Sequence, residues 1–164
     1  MIREATPSDY PAILAINLES EHFLAPLDLA QLTHLHGMSD RLRVVDLEGE
    51  VAAFLIVLRE GAAYDSPNYR FFAARQDTFL YVDRIVVAVG HQGEGWGGAL
   101  YGELFEHARR QGVPRVTCEV DAVPPNEASH RFHARFGFRE IGRQWVADGR
   151  KQVSLQEAPV GPAE

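Results

Sequence analysis

The sequence predicts a single α/β domain, and three observations carry that expectation. The chain of 164 residues is 46% hydrophobic and 24% charged, the balance of an ordinary globular domain large enough for a substantial core. Strand-like and helix-like segments alternate along it, with two hairpin patterns that favour antiparallel pairing. A glycine-dense stretch over residues 89–98 joins a strand-like run to an amphipathic helix-like run. The expected organisation is one domain over residues 1–157, followed by a frayed tail at 158–164.

The elements follow in order. Ile2 to Ala5 reads as a short first strand. Thr6 or Ser8 can cap the next helix, with Pro7 and Pro11 near its start, where a missing amide proton costs little. A helix is expected over 10–20 and a second over 27–36, with Phe23, Leu24 and Pro26 interrupting between them. Arg41–Leu47 and Val51–Leu58 form a hairpin pattern around Glu48-Gly49-Glu50. Residues 60–78 read as a long connection with a heavy aromatic load, Tyr64, Tyr69, Phe71 and Phe72. It can pack back on the sheet, rim a substrate pocket, or do both.

A strand is expected over 79–88 and a helix over 95–110, where Trp96, Leu100, Leu104 and Ala108 recur at helical spacing. Gly112 ends that helix, Arg115–Val120 resumes a strand pattern, and 126–136 is a short helix candidate. Arg139–Ala147 and Lys151–Leu155, separated by Asp148-Gly149, are the closing strands.

Composition removes several function classes. A net charge of -7 disfavours nonspecific attraction to nucleic acid or an anionic membrane. Lys151 is the one lysine beside fifteen arginines, which disfavours a catalytic lysine. Cys118 stands alone, so an intrachain disulfide and a cysteine-based metal cluster are excluded. His34 with His36, and His130 with His133, lack the supporting carboxylates or cysteines of a metal site, and no HExxH sequence occurs; no metal is expected. With no signal-like or membrane-spanning run in view, a cytoplasmic protein is the default expectation.

The glycine turn suits a phosphorylated ligand, because glycines let backbone amides approach closely and a helix N-terminus favours an anion. A triphosphatase loop would end in Gly-Lys-Ser or Gly-Lys-Thr, whereas this one runs Gly97-Gly98-Ala99. A dinucleotide fold fits less well, since several elements precede the turn and no ribose-binding acid is compelling after it. A purely structural glycine turn stays open.

Here the sequence resembles the GCN5-related N-acetyltransferase (GNAT) superfamily. Gln92-Gly93-Glu94-Gly95-Trp96-Gly97 satisfies its signature of Arg or Gln, two residues, Gly, one residue, then Gly or Ala. The segment from Asn126 to Gly137-Phe138 is similar to the family's asparagine-led helix and terminal Gly-Phe pair. The resemblance implies a mixed, mostly antiparallel sheet with helices on both faces and splayed central strands. It also implies acetyl-coenzyme A as cosubstrate, its pyrophosphate over the amides of Gln92, Gly93, Glu94, Gly95, Trp96, Gly97 and Gly98. Backbone groups of Val87 and Val89 would pair with the pantetheine arm, with Asn126 supporting it. Asn126 could equally be a helix cap.

The chemistry implied is direct attack of a primary amine on the thioester, with a small-molecule acceptor favoured. The alternatives are a noncatalytic acyl-coenzyme A-binding regulatory module and a protein or peptide N-acetyltransferase. A homodimer is compatible with the resemblance. His133 stands where the family often has a tyrosine that protonates the departing thiolate. It is a candidate general acid, a hydrogen-bonding contact or a structural histidine. Asp83 is the leading base candidate, sharing a strand face with Tyr81, Ile85 and Val87. It could instead pair with an arginine, although neighbouring Arg84 is expected to point the other way. Glu119 is a weaker base candidate, and Tyr81, Glu119 and Phe23 are expected on the acceptor side. Cys118 reads as a small buried residue rather than a nucleophile.

Overall fold

A computed structural model describes residues 1–162. Among the described residues, seven strands hydrogen-bond in the order β1-β2-β3-β4-β5-β7-β6, and five α-helices flank this mixed, mostly antiparallel sheet. The chain divides into two compact units, Met1–Leu58 with Asp83–Glu106, and Arg59–Val82 with the chain from His107 onward.

In the first unit, β1 (Ile2–Glu4) leads through a 3-10 turn at Pro7–Asp9 into α1 (Tyr10–Glu19). Asp9 closes that turn, accepting from the Thr6 amide at 2.8 Å and from both terminal nitrogens of Arg3. Next comes α2 (Leu29–Met38), whose start is set by reciprocal bonds: Asp28 Oδ1 accepts from the Gln31 amide, and Gln31 Oε1 from the Asp28 amide. These bonds satisfy donors that a helix start leaves open. β2 (Arg41–Leu47) and β3 (Glu50–Arg59) make the expected antiparallel hairpin. Glu48 and Gly49 turn it with φ of 53° and 92°. Ala52 to Leu58 are all buried, so β3 is covered on both faces.

β4 (Leu80–Val87) begins in the second unit and ends in the first. From Asp83 onward its burial alternates, with Arg84 and Val86 buried and Asp83, Ile85 and Val87 less so, as the period-two reading requires. A 3-10 turn at Val89–His91 and the glycine stretch then lead into α4 (Trp96–Gln111), which buries Leu100, Leu104 and Ala108 completely.

The second unit holds the main departure from expectation. Residues 60–78 contain a helix, α3 (Pro67–Ala73), and are not simply a loop. Ser66 caps it, accepting from the Tyr69 amide at 3.3 Å, and Pro67 sits in the first turn, a Ser-Pro start that the aromatic load obscured. Tyr69 and Phe72 are buried and stack in a cluster with Phe79 and Tyr81. The aromatic segment therefore packs back on its sheet.

β5 (Arg115–Val123) pairs in parallel with β4 at Leu80↔Val116 and Tyr81↔Thr117, and both strands run on beyond that register. α5 (Glu127–Ala134) follows, then the antiparallel pair β6 (Arg139–Val146) and β7 (Lys151–Pro159). β7 reaches further than expected. Ala158 is fully buried and pairs with Val116, and the Val160 amide donates to Pro114 O. Of the tail expected at 158–164, residues 158–159 thus belong to β7 and Val160 is still hydrogen-bonded, while residues 163–164 lie outside the described residues. No helix among the described residues is long and apolar enough to cross a membrane.

Candidate functional site

In the first unit, the turn after β4 has the backbone that its glycines suggest. Gly93 and Gly95 adopt φ of 81° and 89°, a region costly for other residues. A Cβ built on either would meet nothing within 4 Å, so these glycines answer to backbone shape and open space, not crowding. Residues 92–95 are exposed, and α4 opens at Trp96. Successive amides on an exposed helix entrance suit a polyanion.

The turn also carries a polar clamp. Glu94 Oε1 accepts from Trp96 Nε1 at 3.0 Å and pairs with His91 Nδ1 at 2.9 Å, while His91 Nε2 meets Glu50 Oε1 at 3.0 Å. The bonds to Glu50 and then Glu94 push the His91 pKa up. His91, with Trp96, holds the Glu94 carboxyl below its usual range. Sequence reading missed the His91–Glu50 partnership because nothing local signals a contact across forty-one positions.

Residues of β4 and of the turn after it sit differently from expectation. Arg84 does not point away from Asp83: its Nε bends back to Asp83 Oδ2 at 2.9 Å. The two side chains are only 7% and 5% exposed, so the Asp83 carboxylate is engaged in a buried ion pair. Val89, 56% exposed, has its amide bound to Glu19 Oε1 at 3.2 Å, the backbone group expected to meet a pantetheine arm. Phe23 is 42% exposed and stacks on His22 with ring centroids 4.3 Å apart.

The second unit brings two of the expected acceptor-side residues together. The Tyr81 hydroxyl donates to Glu119 Oε2 at 2.6 Å. Tyr81 is fully buried against Tyr69 and Phe72, so a charge-assisted bond fixes the half-buried Glu119 carboxylate. Asp121, on the same strand, is ion-paired with Lys151 at 3.1 Å, yet burial raises its pKa.

Asn126 caps α5, accepting from the Ser129 amide at 3.2 Å. That is the cap reading of the residue, and the side-chain nitrogen leaves a second role open. His133 is buried, its ring packed on Phe132 and Phe138. Its Nδ1 lies 2.8 Å from the Ser129 carbonyl oxygen. A carbonyl only accepts, so Nδ1 carries the proton and the neutral ring titrates at Nε2. Burial lowers the His133 pKa, against an opposing contribution from the Ser129 bond. The Nδ1 bond and the ring packing fix how the imidazole sits at the end of α5 and leave Nε2 as the titrating nitrogen.

Cys118 is 2% exposed, and burial pushes its thiol pKa well up, the state of a packing residue. Among the described residues, no group of three or more His, Cys, Asp or Glu is placed to hold a metal ion.

A profile of the acetyltransferase (GNAT) family matches residues 4–138, and the chain belongs to that family. Over 85 residues it is 40% identical to a phosphinothricin N-acetyltransferase of Streptomyces coelicolor. That match takes in 50% of this chain and 45% of the relative, so the chain spans about half of that protein's length. Ard1 of Thermoplasma volcanium superposes with a TM-score of 0.81 at 20% identity, covering 98% of this chain and 97% of that one. The structure of yncA from Salmonella typhimurium with its cofactor acetyl-CoA gives a TM-score of 0.71 at 22% identity, covering 100% and 95%. At these identities the two structures speak for the fold.

Proposed function

We propose that this protein transfers the acetyl group of acetyl-coenzyme A to a primary amine of a small molecule. The observation that carries the reading is the turn at Gln92–Gly98, with positive φ at Gly93 and Gly95, at the entrance to α4 in a chain of the acetyltransferase family. The match to a phosphinothricin N-acetyltransferase and a likeness to a fold solved with acetyl-CoA support it.

In this reading the amides of Gln92 to Gly98 hold the pyrophosphate, which needs no lysine. The Trp96 indole and His91 draw the Glu94 carboxylate to themselves, which limits its repulsion of the phosphates. The backbone of Val87 and Val89 receives the pantetheine arm, and the Val89 amide exchanges Glu19 for it.

The acceptor amine attacks the thioester carbonyl as its neutral form, held beside it, and proximity supplies much of the acceleration. The Val87 amide polarises the carbonyl as the oxyanion forms. Collapse expels the coenzyme A thiolate, and the proton lost by the amine nitrogen ends on that sulfur, so the products are the amide and the free thiol. Asp83, oriented by Arg84, is the carboxylate that would draw in a cationic acceptor and relay its first proton, and Glu119, oriented by Tyr81, is the weaker alternative for that role. His133, with its Nδ1 proton on Ser129 O, orders the end of α5. The acidic balance of the chain supports a partner that is a small amine and not nucleic acid or an anionic membrane.

The test is a panel of small primary amines and short peptides with acetyl-CoA, read by free-thiol release and product mass. Acetylated small amines, with peptides inert, are expected. Peptide products alone would replace the small-molecule assignment, and coenzyme binding without product across the panel would favour a regulatory module.

A further inference from the structure

The His91 ring reaches in two directions from the 3-10 turn that follows β4. Its Nε2 lies 3.0 Å from Glu50 Oε1, and its Nδ1 lies 2.9 Å from Glu94 Oε1. Carboxylates only accept, so a neutral imidazole with its one N–H can make either bond but not both. The arrangement is therefore that of an imidazolium donating on both sides. Among the described residues, the charged groups that face the ring are these two, Glu50 from the start of β3 and Glu94 from the turn itself. Both bonds raise the pKa of the ring, in keeping with that protonation state.

The bridge fastens the turn to β3. The Ala88 amide donates to Ala52 O at 2.9 Å, which ties the exit of β4 to β3 through the backbone. His91 on Glu50 adds a side-chain tie further into the turn and nearer the hairpin. On its other side the ring holds Glu94, whose Oε1 also accepts from Trp96 Nε1 at 3.0 Å, so the first residue of α4 is engaged as well. Loss of the ring proton removes one of the two ties and leaves both carboxylate charges uncompensated. Each change opposes a polyanion on this turn.

We propose that His91 is a positioning residue for the coenzyme. Its imidazolium latches the Gln92–Gly98 turn to β3 and offsets the Glu94 carboxylate, so that acetyl-coenzyme A binds more tightly when this ring is protonated. The coupling rests on the coenzyme reading of the turn given above, whereas the latch of His91 to Glu50 and Glu94 does not. Binding and protonation are linked reciprocally: whatever factor protonation adds to coenzyme affinity, coenzyme adds to proton affinity. For an exposed charge beside a polyanion that factor is about three- to tenfold, which displaces a titration midpoint by about 0.5 to 1 pH unit.

The test is calorimetry with acetyl-CoA from about pH 5.5 to 8.5, together with NMR titration of the His91 ring with and without saturating acetyl-CoA. His91→Gln supplies the baseline for the titration of the coenzyme's own phosphate. Beyond that baseline, wild-type affinity should fall about three- to tenfold as pH rises through the ring's midpoint, and the midpoint should rise by the matching amount when coenzyme binds. His91→Arg, cationic throughout, should hold the low-pH affinity across the range. A wild-type affinity that follows pH as His91→Gln does, or a ring midpoint unmoved by coenzyme, overturns the proposal. If acetyl-CoA binds at no pH, the coenzyme reading itself fails, and the free protein then decides the latch. There the ring midpoint should fall in both Glu50→Gln and Glu94→Gln, and a midpoint unchanged in both refutes it.

Discussion

Replacing Gly95 by alanine isolates the backbone shape of the turn. Gly95 has φ of 89°, and an added Cβ would touch nothing within 4 Å. The substitution therefore introduces no clash, and its whole cost is the energy of placing an L-residue in a sparsely populated conformation, about 1–3 kcal/mol. That cost divides between two observables. If the turn keeps its shape, the strain appears as lost folding stability, a fall in Tm of about 2–4 °C per kcal/mol for a chain of this size. If the turn relaxes, the donors leave the ligand and the cost appears as weaker acetyl-CoA binding, about 5- to 150-fold over the same energy range. Gly90 is the matched control: it is exposed, lacks a positive φ, and its added Cβ also meets nothing. Gly90→Ala should be neutral, or stabilising by up to about 1 kcal/mol through the unfolded chain. Calorimetric titration with acetyl-CoA and thermal unfolding of the three proteins give both quantities. A Gly95→Ala protein with wild-type Tm and wild-type affinity would refute the reasoning.

Three further outcomes are expected. Tyr81→Phe removes the donor to Glu119 Oε2 and should cost about 2 kcal/mol, as a bond to a charged group does, read by urea denaturation with an unchanged m-value. Titration of the His91 ring by NMR should give a midpoint above 6.5 that falls in Glu50→Gln; its contribution to stability is fully present below the unfolded value and lost as pH rises through the folded one. His133 should titrate below 6.5, so its contribution has the opposite sign, present above the unfolded value and lost as pH falls through the folded one. His133→Phe should therefore flatten the acid side of the stability profile, and single-turnover acetyl transfer should stay within about threefold of wild type, because a general acid would be worth about 100-fold or more.

Much of the fold was legible because period and punctuation agreed. The hairpin at 41–58, the 79–88 strand and the Gly112 stop fell where alternation and glycine placed them. What escaped had a physical reason in each case. α3 hid because a seven-residue helix barely shows a period, and its signal was only the Ser66-Pro67 start. β7 outran its expected end because the burial of Ala158 comes from pairing with Val116, a distant partner. At the candidate site, the glycine turn announced itself through residue type, since only glycine accepts φ near 90°. The partners of the charged groups did not. That Arg84 turns back to Asp83 and on to Asn17 and Ala25 is a consequence of a long side chain reaching past its own strand face. Strand periodicity says where a Cβ points and leaves the far end of an arginine undetermined.

The most direct measurement is an amide NMR titration of the isotopically labelled protein with acetyl-CoA. The largest shifts should fall on Gln92 to Gly98 and on Val87 and Val89, with the Val89 amide changing as Glu19 gives way. Tight binding that leaves the amides of Gln92 to Gly98 unmoved would contradict the placement of the coenzyme at this turn, and no binding at millimolar acetyl-CoA would contradict the function itself.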